Sequence, residues 1–300
     1  MLATMRPFLN IILRTMGQLP LAVLQLLGTA IGWLMTLLPT RRAGRVGVNL
    51  RLCLPDLSDA ERRRLGRQAL INLGRTTLET PRLWFGPTQQ VKQLFREVLN
   101  EELFEQAKAA AARRKTGVIV LSPHLNWEVA VLYLGLQGPS TFLYKPQNPN
   151  VEALVRAGRG RFGTRFVHAI PGNVREQLQE RLANGHTVLM LPDQDPPRER
   201  GVFAPFFGVA AHSPSIVGRL IEHSQAPVVL LQVERLGLGR GFKLRFLPAP
   251  AGIDSRHKET SVAAVNQAME TCIRYALPQY MWNVPRFRRR PPGEDKVYSV

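Results

Sequence analysis

The residues best suited to chemistry lie in the run Ser122-Pro-His-Leu-Asn-Trp-Glu128, where a histidine and a carboxylate are four positions apart. If the segment turns helically, His124 and Glu128 come within reach of each other. A carboxylate beside an imidazole fixes its tautomer and stabilises the imidazolium that forms when it takes a proton. The pair could therefore serve as a general base toward an alcohol. On spacing alone, a solvated surface pair is an equally good interpretation.

The position of His124 in the chain favours a functional interpretation. It follows Gly117–Leu121, a short apolar run typical of a buried strand, and Pro123 ends that run. Open α/β sheets place their sites at the carboxyl ends of strands. We therefore expect His124 to lie at the rim of a sheet.

The pair must be positioned by strands and helices, which are predicted to alternate along the chain from Thr116 onward. The alternation predicts an α/β domain over residues 116–300, with a mostly parallel central sheet and helices on both faces. Glycines at 237, 239 and 241 lie between two strand-like runs and predict a hairpin turn. The predicted strands are Gly117–Leu121, Thr141–Tyr144, Arg165–His168, Thr187–Leu191, Val228–Val233 and Phe242–Leu247, and the predicted helices are Trp127–Leu136, Val151–Phe162, Val174–Ala183, Pro214–His223 and Glu259–Tyr275.

Residues 43–115 form a helical region in this interpretation. Ser58-Asp-Ala-Glu61 has the pattern of a capping box and precedes a basic amphipathic stretch. Breakers at 81, 86 and 87 end that stretch, and Val91–Arg113 is predicted as a further helix. We expect this region to pack on the catalytic domain.

The N-terminal segment predicts a membrane anchor over residues 1–42. No charged residue occurs between Arg14 and Arg41, and Leu19–Pro39 is almost wholly apolar. That length matches a bilayer hydrocarbon core of roughly 30 Å. A buried core helix and a cleaved signal peptide are the alternatives, but Arg41 and Arg42 follow the segment like a stop-transfer signal. The excess of arginine after the segment predicts that the rest of the chain is cytoplasmic.

The composition limits which classes of partner and cofactor are expected. The 300-residue chain has 40 basic and 22 acidic residues, a formal charge of +18, which favours an acidic partner: nucleic acid, an anionic lipid surface or an acidic protein. A membrane segment favours a lipid enzyme over a nucleic-acid binder. Cys53 and Cys272 form no Cys-x-x-Cys pair, and zinc, dinucleotide and P-loop patterns are lacking, so neither a metal nor a nucleotide cofactor is expected.

Several motifs in one order resemble the late lipid A acyltransferases, the lauroyl and myristoyl transferases of lipopolysaccharide synthesis. The similarity covers nearly the whole chain, including the N-terminal anchor. The motifs are Pro-His-Leu-Asn-Trp-Glu at 123–128, Tyr-Lys-Pro-Gln-Asn-Pro at 144–149, Gly-Arg-Gly-Arg at 158–161, Leu-Pro-Asp-Gln-Asp at 191–195, Val-Phe-Ala-Pro-Phe-Phe-Gly at 202–208, and the C-terminal segment from Met281-Trp282 through Glu294.

The resemblance implies transfer of a fatty acyl group from acyl carrier protein to a hydroxyl of a lipid A precursor at the bacterial inner membrane. His124 would be the base and Glu128 its partner. An arginine, Arg161 more than Arg159, would hold a lipid phosphate or stabilise the oxyanion of the thioester. Asp193 would orient an arginine or bind the acceptor. No metal or cofactor is implied, and nucleic acid is not a partner.

One departure from the family pattern concerns the pair itself. The family places the acid after His-x-Gly-Asn-Trp, whereas this chain has His-Leu-Asn-Trp-Glu, one residue shorter. Spacings of four and five differ by about 100° around a helix. Either the turn is rebuilt so that Glu128 still meets His124, or the pair is misaligned. The rivals are an acyltransferase for another membrane lipid and a catalytically silent paralogue that binds lipid or carrier protein.

Overall fold

The computed structural model describes residues 2–146, 149–169 and 172–298, with the backbone alone at 2–7 and 150. Its helices agree closely with the predicted ones after residue 116. A capping box begins the long α4, as expected: Ser58 and Glu61 exchange hydrogen bonds between side chains and backbone. The helices are α1 (Leu2–Gln18), α2 (Leu21–Leu37), α3 (Arg41–Cys53), α4 (Asp59–Phe85), α5 (Thr88–Lys92), α6 (Glu101–Arg113), α7 (Trp127–Leu136), α8 (Pro149–Arg159), α9 (Val174–Ala183), α10 (Ile216–Ser224) and α11 (Lys258–Arg274).

The strands form one seven-stranded sheet and a separate hairpin. The sheet order is β1-β9-β8-β2-β5-β3-β4, and its pairs are parallel except for antiparallel β8 and β9, which the glycine-rich turn joins as predicted. The strands are β1 (Phe95–Leu99), β2 (Val118–Leu121), β3 (Ser140–Tyr144), β4 (Arg165–His168), β5 (Thr187–Met190), β6 (Gly201–Phe206), β7 (Val209–Pro214), β8 (Val228–Arg235) and β9 (Phe242–Pro248).

Both faces of the sheet are covered, because alternate residues of its central strands enter two different cores. On β2, Ile119 and Leu121 belong to the core beneath α9, α10 and α11, whereas Val118 and Val120 belong to the core beneath α6 and α7. The predicted mixed α/β architecture, with a mostly parallel sheet and helices on both faces, is confirmed.

Two parts of the sheet system were not predicted. β1 lies within the segment Val91–Arg113, which was predicted as one helix, and it pairs in parallel with β9 at the sheet edge. Phe95 and Val98 are three positions apart, a spacing that fits a helix face, so only the partner strand decides the outcome. The hairpin of β6 and β7 was likewise missed; it packs against α11.

The N-terminal apolar run, which was predicted as one membrane-embedded or interfacial helix, is divided between α1 and α2. Among the described helices, none is by itself long and apolar enough to cross a membrane; Phe8–Gln18 and Leu21–Leu37 meet that criterion only as a pair, bent by 118°. α2 packs along α4 where Gly28, Gly32 and Gly74 bring the two backbones together. A Cβ atom on Gly74 would lie 2.1 Å from the carbonyl oxygen of Gly28.

The side of α2 that faces away from α4 is apolar and exposed. Trp33, Leu34 and Leu37 are each more than half exposed, and Phe8 and Ile11 on α1 extend the same kind of surface. Contiguous apolar patches of this sort mark sites that bind protein or membrane.

Candidate active site

The site begins where β2 ends. His124 lies at the carboxyl edge of the sheet, where it lines a cavity of about 420 Å³. Volumes of this order are typical of small-ligand sites. The cavity is largely apolar, and its charged or polar lining side chains are His124, Lys145, Arg159, Gln194 and Arg200. Its lining includes Trp127, Phe142, Leu143, Tyr144, Arg159, Val174, Met190, Leu191, Ile216, Val217 and Met281.

The carboxylate bound to His124 is that of Asp193. Asp193 Oδ1 is 2.6 Å from His124 Nδ1, and Asp193 Oδ2 accepts the backbone N–H of His124 at 2.9 Å. The Asp193 side chain is fully buried, whereas that of His124 retains 16% of its exposure. An ionised Asp193 requires the ring proton on Nδ1, which leaves the lone pair of Nε2 free to act as a base.

The electrostatics of Asp193 support this assignment. Burial by itself would raise the pKa of Asp193. The opposing effects are larger and lower this pKa: the charge of His124, two hydrogen bonds from His124 and one from the Tyr280 hydroxyl. Burial beside Asp193 in turn raises the pKa of Tyr280 well above its usual value, so Tyr280 remains a donor. Asp193 therefore stays ionised at neutral pH.

Strand order explains why these two residues meet although they are 69 positions apart. β2 and β5 are neighbouring parallel strands, so the residues that follow them leave the sheet side by side. The N–H of Ser122 still bonds the carbonyl of Met190 at 3.1 Å, which extends the ladder to the site. The N–H of Met281 donates to the carbonyl of His124 at 3.2 Å and holds the loop from the other side.

Glu128 has different partners. Arg159 Nη2 donates to its Oε1 at 2.7 Å, Arg159 Nε lies 3.1 Å from both carboxylate oxygens, and Trp84 Nε1 donates to Oε2 at 3.0 Å. The predicted hydrogen bond between Glu128 and His124 is therefore not formed between these two side chains. The imidazole pairs with Asp193, and the glutamate pairs with the arginine.

The short turn before α7 explains this outcome. Asn126, immediately before the helix, adopts the left-handed conformation with φ 48°, which asparagine tolerates better than most residues. Its amide donates to Gln279 Oε1 at 2.7 Å, and its Oδ1 accepts from Arg235 at 2.8 Å. The turn is thus fixed, and Glu128, the second residue of α7, binds Arg159 and Trp84 instead of the imidazole.

Arg159 is one of the cationic side chains that line the cavity. Its Cζ lies 4.3 Å from the ring centroid of Trp127 and 5.5 Å from that of Tyr144, both of which line the cavity. Gly158 permits this placement, because a Cβ there would lie 2.3 Å from Cγ of Trp84. The Gly-Arg sequence therefore reflects the packing of α8 on Trp84.

Known proteins are similar to this chain over nearly its whole length. Residues 3–289 match the family described as bacterial lipid A biosynthesis acyltransferase. The chain belongs to this family. It is 31% identical to the lipid A biosynthesis lauroyltransferase of Escherichia coli (strain K12) and 30% identical to the palmitoleoyltransferase of the same organism, in each case over 94% of this chain and 90% of the relative. A lipid A biosynthesis acyltransferase of Haemophilus influenzae is 29% identical over 94% and 89% of the two chains.

As a member of the lipid A acyltransferases, the protein is an enzyme, and the predicted resemblance is confirmed. The arginine favoured for the substrate, Arg161, lies outside the cavity lining. Its guanidinium donates to the carbonyls of Leu83 at 2.9 Å and Gly86 at 2.8 Å and to Thr88 Oγ1 at 3.1 Å. It thus holds the end of α4, whereas Arg159 lines the cavity, as does Arg200.

Three residues of the acyltransferase site were missed. Tyr280 donates to Asp193, Trp84 donates to Glu128, and Arg235 holds the turn at Asn126. The C-terminal Met281-Trp282 motif adjoins Tyr280 and is the one sequence signal that pointed there. Trp84 and Arg235 have no neighbouring motif, because their roles depend on the position of α4 against the sheet.

Proposed function

We propose that this enzyme transfers a fatty acyl group from acyl carrier protein to a hydroxyl of a lipid A precursor, with His124 as general base. The observation that carries the proposal is the His124–Asp193 pair, in which Asp193 is fully buried and His124 lines a largely apolar cavity. Such a pair needs no metal for acyl transfer to an alcohol.

His124 Nε2 removes the proton of the acceptor hydroxyl. The hydroxyl oxygen attacks the carbonyl carbon of the thioester and forms the new C–O bond. The tetrahedral intermediate then collapses, the C–S bond breaks, and the imidazolium returns the proton to the departing thiolate. Asp193 stabilises the imidazolium during these steps, because its carboxylate remains ionised and hydrogen-bonded to Nδ1.

Arg159 is the proposed stabiliser of the oxyanion. Glu128 binds its Nε and Nη2, whereas Nη1 has no hydrogen bond within the described parts of the chain. That nitrogen is a donor available to a ligand in the cavity. A fixed cation in a site that excludes water stabilises developing negative charge more than it would in solvent. Glu128 is accordingly a positioning residue that holds the guanidinium, and Arg161 has no part in the reaction.

The membrane attachment in this proposal uses the exposed apolar faces of α1 and α2. The opposite side of α2 is buried on α4, where Arg75 lies against Gly28 near the middle of α2 and donates to Thr29 Oγ1 at 2.8 Å. A spanning α2 would draw this arginine into the hydrocarbon core at a high energetic cost. We therefore propose that α1 and α2 lie in one leaflet of the inner membrane, with the catalytic domain on the cytoplasmic side.

The test is transfer from acyl carrier protein to a lipid A precursor by membranes that contain the protein or its His124→Ala variant. We expect the variant to lose transfer by at least a thousandfold, since the base is absent. Normal turnover by the variant would overturn the role of His124. Mass spectrometry of lipid A from cells without the protein tests the acceptor, and unchanged acylation would favour another membrane lipid.

A further inference from the structure

A second cavity, remote from the reactive histidine in the chain, is lined by arginines. It lies between the start of α3 and the C-terminal segment and has a volume of about 560 Å³. No carboxylate occurs among its lining residues. These are Pro39, Thr40, Arg41, Gly44, Arg45, Val48, Arg51, Pro285, Arg288 and Tyr298.

The arginines of this cavity are poorly neutralised. Within the described ranges, Arg41, Arg45 and Arg51 form no hydrogen bond or ion pair through their side chains, and α3 contains no acidic residue. Arg41 and Arg45 are four positions apart on one helix face, where like charges destabilise a helix. Arg288 has one carboxylate partner, Asp195, at 3.2 Å, and its side chain is 60% exposed. A bound anion would relieve this repulsion.

Hydrogen bonds within the protein fix the walls of the cavity. The Tyr298 hydroxyl donates to Oδ1 of Asn49 on α3 and accepts the N–H of Phe287 at 3.1 Å. Asn49 also donates to the carbonyls of Trp282 at 2.6 Å and Val284 at 2.8 Å. The C-terminal segment is thereby attached to α3, and the arginines project from a rigid frame.

The cavity adjoins the apolar face of α2. Leu37 and Leu38 are 60% and 58% exposed, and Thr40, two residues later, already lines the cavity. In a membrane surface the phosphates lie just outside the hydrocarbon region, so an apolar helix end followed directly by arginines matches that order. The guanidinium fork binds two phosphate oxygens at once.

We propose that this cavity binds the phosphate group of an anionic membrane lipid. The inference rests on the membrane attachment proposed above and is independent of acyl transfer. The lipid would hold the enzyme at a fixed depth, with the apolar side chains of α2 among the acyl chains and the arginines at the headgroups.

The experiment compares the full-length protein with an Arg41→Gln, Arg45→Gln double variant. The matched control is Arg113→Gln, Arg256→Gln, which removes the same charge from exposed sites outside the cavity. Binding is measured by flotation with phosphatidylcholine vesicles, with and without one fifth phosphatidic acid. We expect the cavity variant to lose about 25-fold in affinity for the acidic vesicles, from about fivefold for each of the two arginines. The control should change much less, and binding to phosphatidylcholine alone should be unaffected.

Equal losses in the two variants would overturn the proposal, because the effect would then be one of net charge. The proposal would also fail if the cavity variant bound inorganic phosphate or acyl carrier protein less well but kept its affinity for acidic vesicles. No binding of the wild type to either vesicle would refute the membrane attachment itself. Acyl transfer by each variant is measured separately in detergent micelles, so failure of the lipid site is distinguishable from failure of the catalytic proposal.

Discussion

Asp193 and Glu128 are both buried carboxylates near the cavity, but they bind different cations. Asp193 holds the imidazole that we propose as the base, and Glu128 holds the guanidinium of Arg159. In the proposed mechanism the two ion pairs contribute to different steps: the imidazole of one accepts the proton, and the guanidinium of the other faces the developing oxyanion. Variants of the two carboxylates should differ accordingly.

Replacing Asp193 with asparagine should lower kcat on the order of a thousandfold, because an amide neither stabilises the imidazolium nor fixes the reactive tautomer. The steady-state rate of acyl transfer measures this. Asp195→Asn is the control for disturbance of the same loop, since Asp195 binds His212 and Arg289 instead of the reactive ring. Comparable losses in the two variants would contradict a specific role for Asp193.

The lowered pKa of Asp193 also predicts a pH dependence of stability. The pKa of Asp193 is lower in the folded state than its ordinary value of 3.8. Such a carboxyl stabilises the fold fully at any pH above 3.8. The stabilisation is lost as the pH falls through the pKa of the folded state. The difference in free energy of unfolding between wild type and Asp193→Asn should thus be present in full at about pH 5 and shrink as the pH falls below the ordinary value. Urea unfolding at several pH values below about 5 measures it. A difference that kept growing below pH 3.8 would contradict the assigned ionisation.

Glu128→Gln should lower the free energy of unfolding by about 3 kcal/mol, because it leaves the buried guanidinium of Arg159 without its counter-ion. Urea unfolding in detergent checks this value. The double variant Glu128→Gln, Arg159→Met should recover part of the loss, since neither charge is then buried alone. A fall in kcat with unchanged stability would instead support Glu128 as the partner of His124.

At the level of elements, α4 connects the N-terminal helices α1 and α2 to the loop that carries His124. Glu79 on α4 forms a buried ion pair with Arg235 at the end of β8, with Nε to Oε1 at 2.6 Å. Arg235 also binds Asn126, in the turn that begins α7, and Trp84 further along α4 reaches Glu128. The orientation of α4 thus affects both ends of the site, so the packing that fixes α4 has consequences for catalysis.

The contact between α2 and α4 depends on glycine. Gly74→Ala would place a methyl group 2.1 Å from the backbone oxygen of Gly28, so the two helices must separate. We expect the free energy of unfolding to fall by about 2 kcal/mol or more, as in overpacked cores. Gly66→Ala on the same helix is the matched control. Its Cβ would lie 3.5 Å from the side chains of Leu50 and Val46, an ordinary contact, so the gain in helix propensity should stabilise the protein by up to about 1 kcal/mol. Thermal unfolding of the two variants should move in opposite directions; two similar shifts would contradict the close approach.

On the scale of the whole molecule, apolar and basic surfaces are adjacent. The exposed leucines of α2 lead directly into the arginines of α3, and the net charge of +18 favours an anionic surface. The same positive charge would attract an acidic carrier protein. In the proposed reaction it would therefore favour binding of both the anionic membrane and the acyl donor.

Trp33 offers a direct test of how the molecule meets the bilayer. It is 54% exposed on α2, whereas Trp84 and Trp282 are buried. If α2 lies in one leaflet, lipids brominated near the headgroup end of the acyl chains should quench fluorescence more than lipids brominated near the bilayer centre. Trp33→Phe should remove most of this quenching. Strongest quenching from the bilayer centre would indicate a spanning helix instead.

Local sequence patterns determined most of the secondary structure, because hydrophobic period, capping residues and glycine-rich turns act over a few positions. The strand ending before His124, the capping box at Ser58 and the turn between β8 and β9 were all predicted on those grounds. β1 was not, since its apolar spacing suits a helix and only the edge of β9 selects a strand.

In the candidate active site, local sequence and tertiary structure also determine different features. The sequence by itself placed His124 at a strand end with Glu128 as its predicted partner, and the family resemblance made Arg161, Arg159 and Asp193 candidate substrate residues. Which acid meets the imidazole was decided by the tertiary structure, because adjacency of the parallel strands β2 and β5 brings together residues 69 positions apart. The short turn at Asn126 and the packing of Trp84 then direct Glu128 to Arg159. Spacing along the chain reports only contacts within a turn or two, whereas ion pairs in this core depend on strand order and helix packing.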